Sequence, residues 1–455
     1  MRAMLHLVLA ELLAAAVLWV GVGAVTGTAG YTAGLVASLV TTARDLEGTS
    51  ELALYGISGT AIAFTAIAIV VTVASVSELT LALLRRRFAL WILAGVTPAG
   101  LTTAALTQLA IVAVLGASTG AVLAAATAGR VGGAVLAQIP TLSQVRVHLG
   151  GPGTVIVAST VVVLTACAGF RPALRAGRNV GVDPRQDPPG PPQGMGASRW
   201  IASGLTAAAL ASVVASVPGS VDPGTPLLLI APLAAALLAT GAPVFVARWV
   251  RHWTHLVSRN PRPTWLIARA QARELLARSS GPIGPILVTV ALTGGLWAAS
   301  AATHSVPGNG QAGALGLLVV LAAPLIVTLV GSAATVVMLD RGRKSTSTVA
   351  HSLGATRLQL IGTSVFEIAI IVTTSAALGT VCVGITMIAA AWTLGSDAVL
   401  AAAPGSISAI GCATVVCFAI QSVAVLPAAV LTAATARKEH HTPGRRHQEA
   451  PRGTS

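Results

Sequence analysis

LAGVTPAGLTTAALTQLAIVAVLGASTG, residues 93–120, and SLGATRLQLIGTSVFEIAIIVTTSAALG, residues 352–379, are two versions of one sequence element. They align without a gap, and Gly95 then matches Gly354 at an offset of 259 residues (354 minus 95). In each copy a glycine and a threonine stand just before an apolar run of bilayer length. A duplication of this kind indicates the architecture before any single motif does.

The composition around these copies is that of a membrane protein. The chain has 455 residues, of which 54% are hydrophobic and only 9% are charged, and its mean hydropathy is +0.82. Soluble domains carry about a quarter charged residues. So few charged side chains cannot cover a water-facing surface of this size, so we predict an all-α integral membrane protein.

A net charge of +14 could indicate a protein that binds nucleic acid, but the basic residues lie between apolar runs. That distribution is typical of membrane topology, and no nucleic-acid partner is predicted. The bias toward arginine, alanine, valine and glycine is typical of a high-GC bacterial genome. We therefore expect a multi-pass protein of the bacterial inner membrane.

About ten apolar segments follow one another along the chain, each near the 20 residues that a bilayer requires. The first is predicted to be an uncleaved helix and not a signal peptide, and residues 26–40 either prolong it or form a re-entrant piece. The predicted segments are Leu7–Val25, Leu52–Val76, Leu101–Ala125, Thr154–Phe170, Ile201–Val217, Pro226–Val246, Pro282–Ala302, Leu315–Leu339, Leu360–Ala390 and Ile407–Ala433.

The basic residues assign the sides of the membrane. With a cytoplasmic N-terminus, all but three of the 28 lysines and arginines fall inside, the exceptions being Arg44, Arg130 and Arg146. This follows the positive-inside rule and predicts that both termini are cytoplasmic. The outside loops are short, the longest covering residues 126–153, so no folded extracytoplasmic domain is expected.

The duplication divides the chain into two parallel four-helix modules, because the offset crosses an even number of segments. A pair of helices lies between them. The predicted parts are the first module (1–170), a proline-rich cytoplasmic linker (171–200), the central pair (201–246), an amphipathic cytoplasmic elbow (247–281), the second module (282–435) and a basic tail (436–455).

The repeated element resembles that of the FtsX/MacB-like permease family of ABC systems. The family pattern is a basic stretch, a short amphipathic piece, Leu-Gly-Ala-Thr, and an apolar helix that carries a glutamate. The second copy has it as residues 353–356 followed by Glu367, and the first has Ala-Gly-Val-Thr at 94–97 with Gln108 in place of the glutamate. Such permeases usually carry a large extracytoplasmic domain, whereas the equivalent loops here, 41–51 and 303–314, are short.

The resemblance implies a separate ABC ATPase, as a dimer, that binds ATP and drives the permease in export or mechanical work on a lipid- or peptide-like substrate. No cofactor is then expected in this chain. The region that receives the ATPase is expected at the glycine motifs and the basic residues around them: Arg85, Arg86, Arg87, Gly95, Arg341, Arg343, Lys344, Gly354 and Arg357. The alternative is that these arginines only set topology or bind anionic lipid.

Three polar residues stand within apolar segments: Glu11, Gln108 and Glu367. A carboxylate in the membrane is costly, so Glu367 is expected to pair with an arginine near the cytoplasmic edge or to lie in the interface, in preference to a proton or substrate role. Glu11 lies near enough to the inner edge to be interfacial. The four cysteines, Cys167, Cys382, Cys412 and Cys417, have no metal-binding spacing. We predict no metal site and no catalytic residue, because no Walker A sequence or nucleophile–base set occurs and the GxGxxG at 308–313 is interpreted as a turn.

Two other functions stay open at this point. One is an ion-driven secondary transporter, which requires buried ionisable residues and broken helices near the midplane. The other is a non-transporting regulator of cell-envelope processes that an ATPase moves.

Overall fold

The computed structural model describes residues 10–45, 49–136, 147–178, 197–219, 224–257, 263–278, 283–304, 314–342 and 354–440. Within these ranges the chain is helical and contains no strand. The helices are α1 (Ala16–Ala43), α2 (Thr49–Leu93), α3 (Pro98–Leu136), α4 (Gly151–Arg178), α5 (Ala197–Ser216), α6 (Gly224–Leu256), α7 (Pro263–Arg278), α8 (Ile283–His304), α9 (Ala314–Gly342), α10 (Arg357–Leu394) and α11 (Ser396–His440).

Seven of the described helices are long and apolar enough to cross a membrane: α1 to α4, α8, α10 and α11. The count rises to eight if the two halves of α6, which meet at a 70° bend, form one span. Shorter apolar stretches lie at 200–216 in α5 and 322–338 in α9. The prediction of an all-α, multi-pass membrane protein is confirmed at this level, and ten spans remain a prediction.

Two helices extend beyond the predicted apolar segments. Residues 26–40 prolong the first helix, since α1 continues to Ala43. The second helix does not stop at Val76 but runs to Leu93, so Arg85–Arg87 lie in a helix and not in a basic loop. Arginine and leucine are good helix formers, and the completely buried Phe88 anchors this last stretch to the core.

The bend in α6 separates 226–242 from 244–256, with Pro243 between them. A proline inside a helix removes a backbone hydrogen bond and clashes with the preceding turn, which accounts for the break. The second half therefore enters the region predicted as elbow. Within the region predicted as elbow, α7 (Pro263–Arg278) is a helix.

The two sets of four helices pack in the same way. In the first set α1 packs on α2, α3 and α4, and in the second α8 packs on α9, α10 and α11. The third helix of each set begins at an equivalent position, α3 at residue 98 and α10 at residue 357. Gly120 lies against the backbone of Tyr31, and its equivalent Gly379 lies against Val290, the equivalent of Tyr31. The sequence repeat is thus also a repeat of packing.

The two sets meet where α2 packs on α9. Thr72 of α2 faces its own equivalent, Gly331 of α9, so closely that a Cβ on Gly331 would overlap Thr72 Cγ2. Further along both helices, Oγ1 of Thr80, eight residues after Thr72, lies 3.3 Å from Sδ of Met338, seven residues after Gly331. Contact between equivalent positions is what a two-fold relation between parallel repeats requires. Two successive contacts in the same order mean that α2 and α9 run parallel and end on the same side.

Candidate functional site

The first corner joins α2 to α3 through the sequence Ala-Gly-Val-Thr. Gly95 has φ +91°, in the left-handed region that favours glycine. Its N–H donates to Ile92 O at 2.9 Å, and Val96 N–H donates to Trp91 O at 3.0 Å. This pair of bonds ends α2 in a Schellman motif. Thr97 then caps α3, because its Oγ1 accepts from Gly100 N–H at 3.1 Å.

The second corner has the same backbone. Gly354 also has φ +91°. Thr356 caps α10 in a capping box, in which Gln359 N–H donates to Thr356 Oγ1 at 3.4 Å and Thr356 N–H donates to Gln359 Oε1 at 2.9 Å. The prediction that both glycines adopt a conformation costly for other residues is confirmed, and Gly95 ends a helix as predicted. The residues before Gly354 lie outside the described part of the chain. The two corners share a left-handed glycine followed two residues later by a threonine that caps a helix.

The two corners lie at the same end of the bundle. The first corner follows the end of α2, and the connection from α9 leads to the second. Because α2 and α9 run parallel, both connections leave the bundle on the same side. Two copies of one rigid turn are thereby presented together, next to the basic residues that the sequence singles out.

Of those basic residues, Arg87 has a structural partner. Its Nη1 lies 2.8 Å from Oε1 of Glu11, in the helical residues before α1. Glu11 therefore pairs with an arginine, and Arg87 connects α2 to the helical residues before α1. A second pair, Arg175 Nη1 with Glu78 Oε1 at 3.7 Å, ties α4 to α2 and was missed.

The other predicted basic residues are only partly described. Arg85 is half-buried. The side chains of Arg86, Arg341 and Arg357 lie outside the described part of the chain, and so do Arg343 and Lys344 entirely. Gly95 and Gly354 are both exposed at their corners.

Exposed leucines beside the corners are the feature that sequence reasoning missed. Leu93 ends α2 with 77% of its surface exposed, Leu90 one turn earlier is 61% exposed, and Leu358 at the start of α10 is 82% exposed. Exposed apolar side chains of a membrane protein are covered by lipid or by a partner, so leucines beside a turn at the end of the bundle form a candidate contact surface. The available signal was their position directly beside the duplicated glycine motif.

Gln108 and Glu367 occupy equivalent positions on α3 and α10, and both are buried, at 0% and 1% exposure. Glu367 is the only acidic or basic residue among the described residues that is classed as buried. The structure places both polar groups inside the helix packing and away from lipid. Neither lies at the corner itself, since each is ten or eleven residues into its helix.

No group of three or more histidine, cysteine or acidic residues is arranged to hold a metal ion within the described ranges. Comparison of the chain with models of protein families, with curated proteins and with solved structures found no match.

Proposed function

We propose that this chain is the membrane-spanning permease subunit of a bacterial ABC system of the FtsX/MacB type, driven by a separate ATPase dimer at the inner membrane. The observation that carries the proposal is the pair of matched corners at one end of a duplicated helical bundle. Two equivalent receiving sites suit a partner that is itself two-fold symmetric. Each corner would receive one ATPase protomer.

Each corner leads directly into a long helix, which could carry a movement of the corner across the membrane. α3 and α10 start at the capped threonines and continue for 39 and 38 residues. At 1.5 Å per residue such helices are about 57 Å long, longer than the bilayer core. A push on the corner would therefore move the far end of the helix, because the threonine cap joins each corner directly to one continuous helix.

Exposed leucines and nearby arginines give the corner a suitable docking chemistry. An apolar anchor in a pocket supplies most of the affinity of a typical interface, and charges around it set orientation and association rate. The substrate, a lipid- or peptide-like molecule, is inferred from the resemblance to this family. The packing of the helical bundle supports a role as the subunit that an ATPase moves. The substrate class rests on the resemblance alone.

The test is whether affinity-purified full-length protein captures a P-loop ATPase from its native membranes. Leu358→Ser is expected to lower capture about tenfold or more, in the range of an interface hot spot. Leu400→Ser is the matched control, since Leu400 is 72% exposed but lies at the opposite end of α10, four residues into α11. Gly354→Asp combined with Arg341→Glu is expected to weaken capture as well. Equal capture by all variants, each folded by gel filtration, would refute the corner as the docking site.

An ion-driven transporter is the second candidate, and the buried Glu367 is the observation that favours it. A proton-coupled carrier needs a protonatable group inside the membrane. Uptake into vesicles that requires a proton gradient and no ATPase, and that is lost in Glu367→Gln, would establish this alternative. ATP-dependent movement that persists in Glu367→Gln would support the ABC proposal.

A further inference from the structure

The second half of α6, residues 244–256, has an unusual position for part of a membrane helix. It follows the apolar stretch 226–242 and departs from it by 70°. A helix that crosses the bilayer is tilted by about 20° on average. A continuation turned by 70° therefore runs close to the membrane plane, on the side that the basic residues assign to the cytoplasm.

Two hydrogen bonds fix which face of this segment is turned inward. Trp253 Nε1 donates to Thr374 Oγ1 of α10 at 3.2 Å, and Thr254 Oγ1 accepts from Arg269 Nε of α7 at 3.1 Å. Val246 and Val250, on the same face as Thr254, are completely buried. The segment is held between α10 and the elbow, and its other faces are presented to the outside.

The outward faces combine a basic stripe with an apolar stripe. Arg248, Arg251, His252 and His255 are all exposed and fall on one side of the helix. In the described part of the chain none of these four forms an ion pair. Adjoining them, Trp249 is 45% and Leu256 84% exposed. Tryptophan and leucine beside arginines are the composition of helices that lie in a membrane interface and bind anionic lipid.

We infer that residues 244–256 form an interfacial helix that binds the anionic phospholipid headgroups of the inner leaflet, with Trp249 and Leu256 inserted among the acyl chains. The phosphate groups meet Arg248 and Arg251, and the histidines lie alongside. Charge complementarity selects this occupant, because the stripe is wholly basic and its apolar neighbours need a nonpolar phase at the same depth. The site also connects lipid to α10, since Trp253 is bonded to that helix.

The depth of Trp249 in the bilayer is tested by fluorescence quenching of the full chain in nanodiscs. The difference between the wild type and Trp249→Phe isolates the emission of Trp249 from that of the other tryptophans. Quenching of this difference signal by phospholipid brominated near the headgroup, with little quenching by aqueous iodide, is expected. Quenching by iodide alone, or protection from iodide that appears only when the partner ATPase is added, would overturn the inference in favour of a water-facing or protein-docking surface.

Headgroup selectivity is tested by titrating phosphatidylglycerol against phosphatidylcholine and counting retained lipid by native mass spectrometry. Each arginine near an anionic surface contributes about a factor of five to binding, so Arg248→Gln with Arg251→Gln is expected to weaken phosphatidylglycerol retention about thirtyfold. Arg44→Gln with Arg130→Gln removes the same charge from exposed positions on the predicted outer side and should change it less than about twofold. Equal losses in the two double variants, or no loss in the first, would refute a specific site.

Discussion

Replacing Gly331 by alanine tests the contact between the two repeats. A Cβ at this position would overlap Thr72 Cγ2, and it would lie 3.2 Å from Thr72 Cβ and 3.5 Å from Thr72 Oγ1. Threonine in a helix has few rotamers to choose from, so Thr72 cannot simply turn away. The added methyl group must push α2 and α9 apart.

The magnitude follows from two opposing terms. Overpacking a close contact costs about 1–3 kcal/mol. Alanine in place of glycine in a helix returns about 1 kcal/mol. The net expectation is a loss of up to about 2 kcal/mol. It is measured as a lower melting temperature of the detergent-solubilised protein at a fixed scan rate, because unfolding of such proteins is often irreversible.

A second substitution identifies the cause. Thr72→Ser removes the overlapping Cγ2 and keeps the hydroxyl group, so Gly331→Ala with Thr72→Ser should recover most of the lost stability. Gly384→Ala is the matched control, because no atom lies within 4 Å of its added Cβ, and it should be neutral or stabilising. If Gly331→Ala melts like Gly384→Ala, or if Thr72→Ser gives no rescue, α2 and α9 do not meet as described.

Three further predictions follow from local geometry. Gly354→Ala should cost about 1–2 kcal/mol although its Cβ meets open space, because alanine is strained at φ +91°; Gly354→Asn should cost less in the same melting assay. A double-mutant cycle with Arg87→Gln and Glu11→Gln should give a coupling energy of about 0.5–1 kcal/mol, reduced by solvent because the two side chains are 43% and 19% exposed; a coupling of zero would remove this tie. Gly120→Ala should destabilise more than Gly379→Ala, since the first Cβ meets helix backbone and the second meets the side chain of a valine; the reverse order of melting temperatures would contradict the packing of α1 on α3.

The glycine corners show which features of the fold can be predicted from a few neighbouring residues. Gly95 and Gly354 were expected to adopt a conformation that favours glycine, and both do so with the same φ. Helix stops and caps depend on a few neighbouring residues, so they can be predicted from those residues. The apolar segment that ends at Val76 did not indicate the end of its helix, which runs to Leu93. Hydropathy reports where lipid ends and not where hydrogen bonding along the backbone ends.

The sequence by itself determined the helical membrane class, the duplication with its offset of 259 residues, and the two glycine-threonine corners. Each of these features can be predicted from the composition, from a repeat along the chain or from a few adjacent residues. The tertiary structure alone decided that Thr72 faces Gly331, that Arg87 pairs with Glu11, and that the second half of α6 turns outward with its basic stripe. Such contacts join residues far apart in the chain, and the free energy that selects them depends on the fit of whole helix surfaces, which no short stretch of sequence contains.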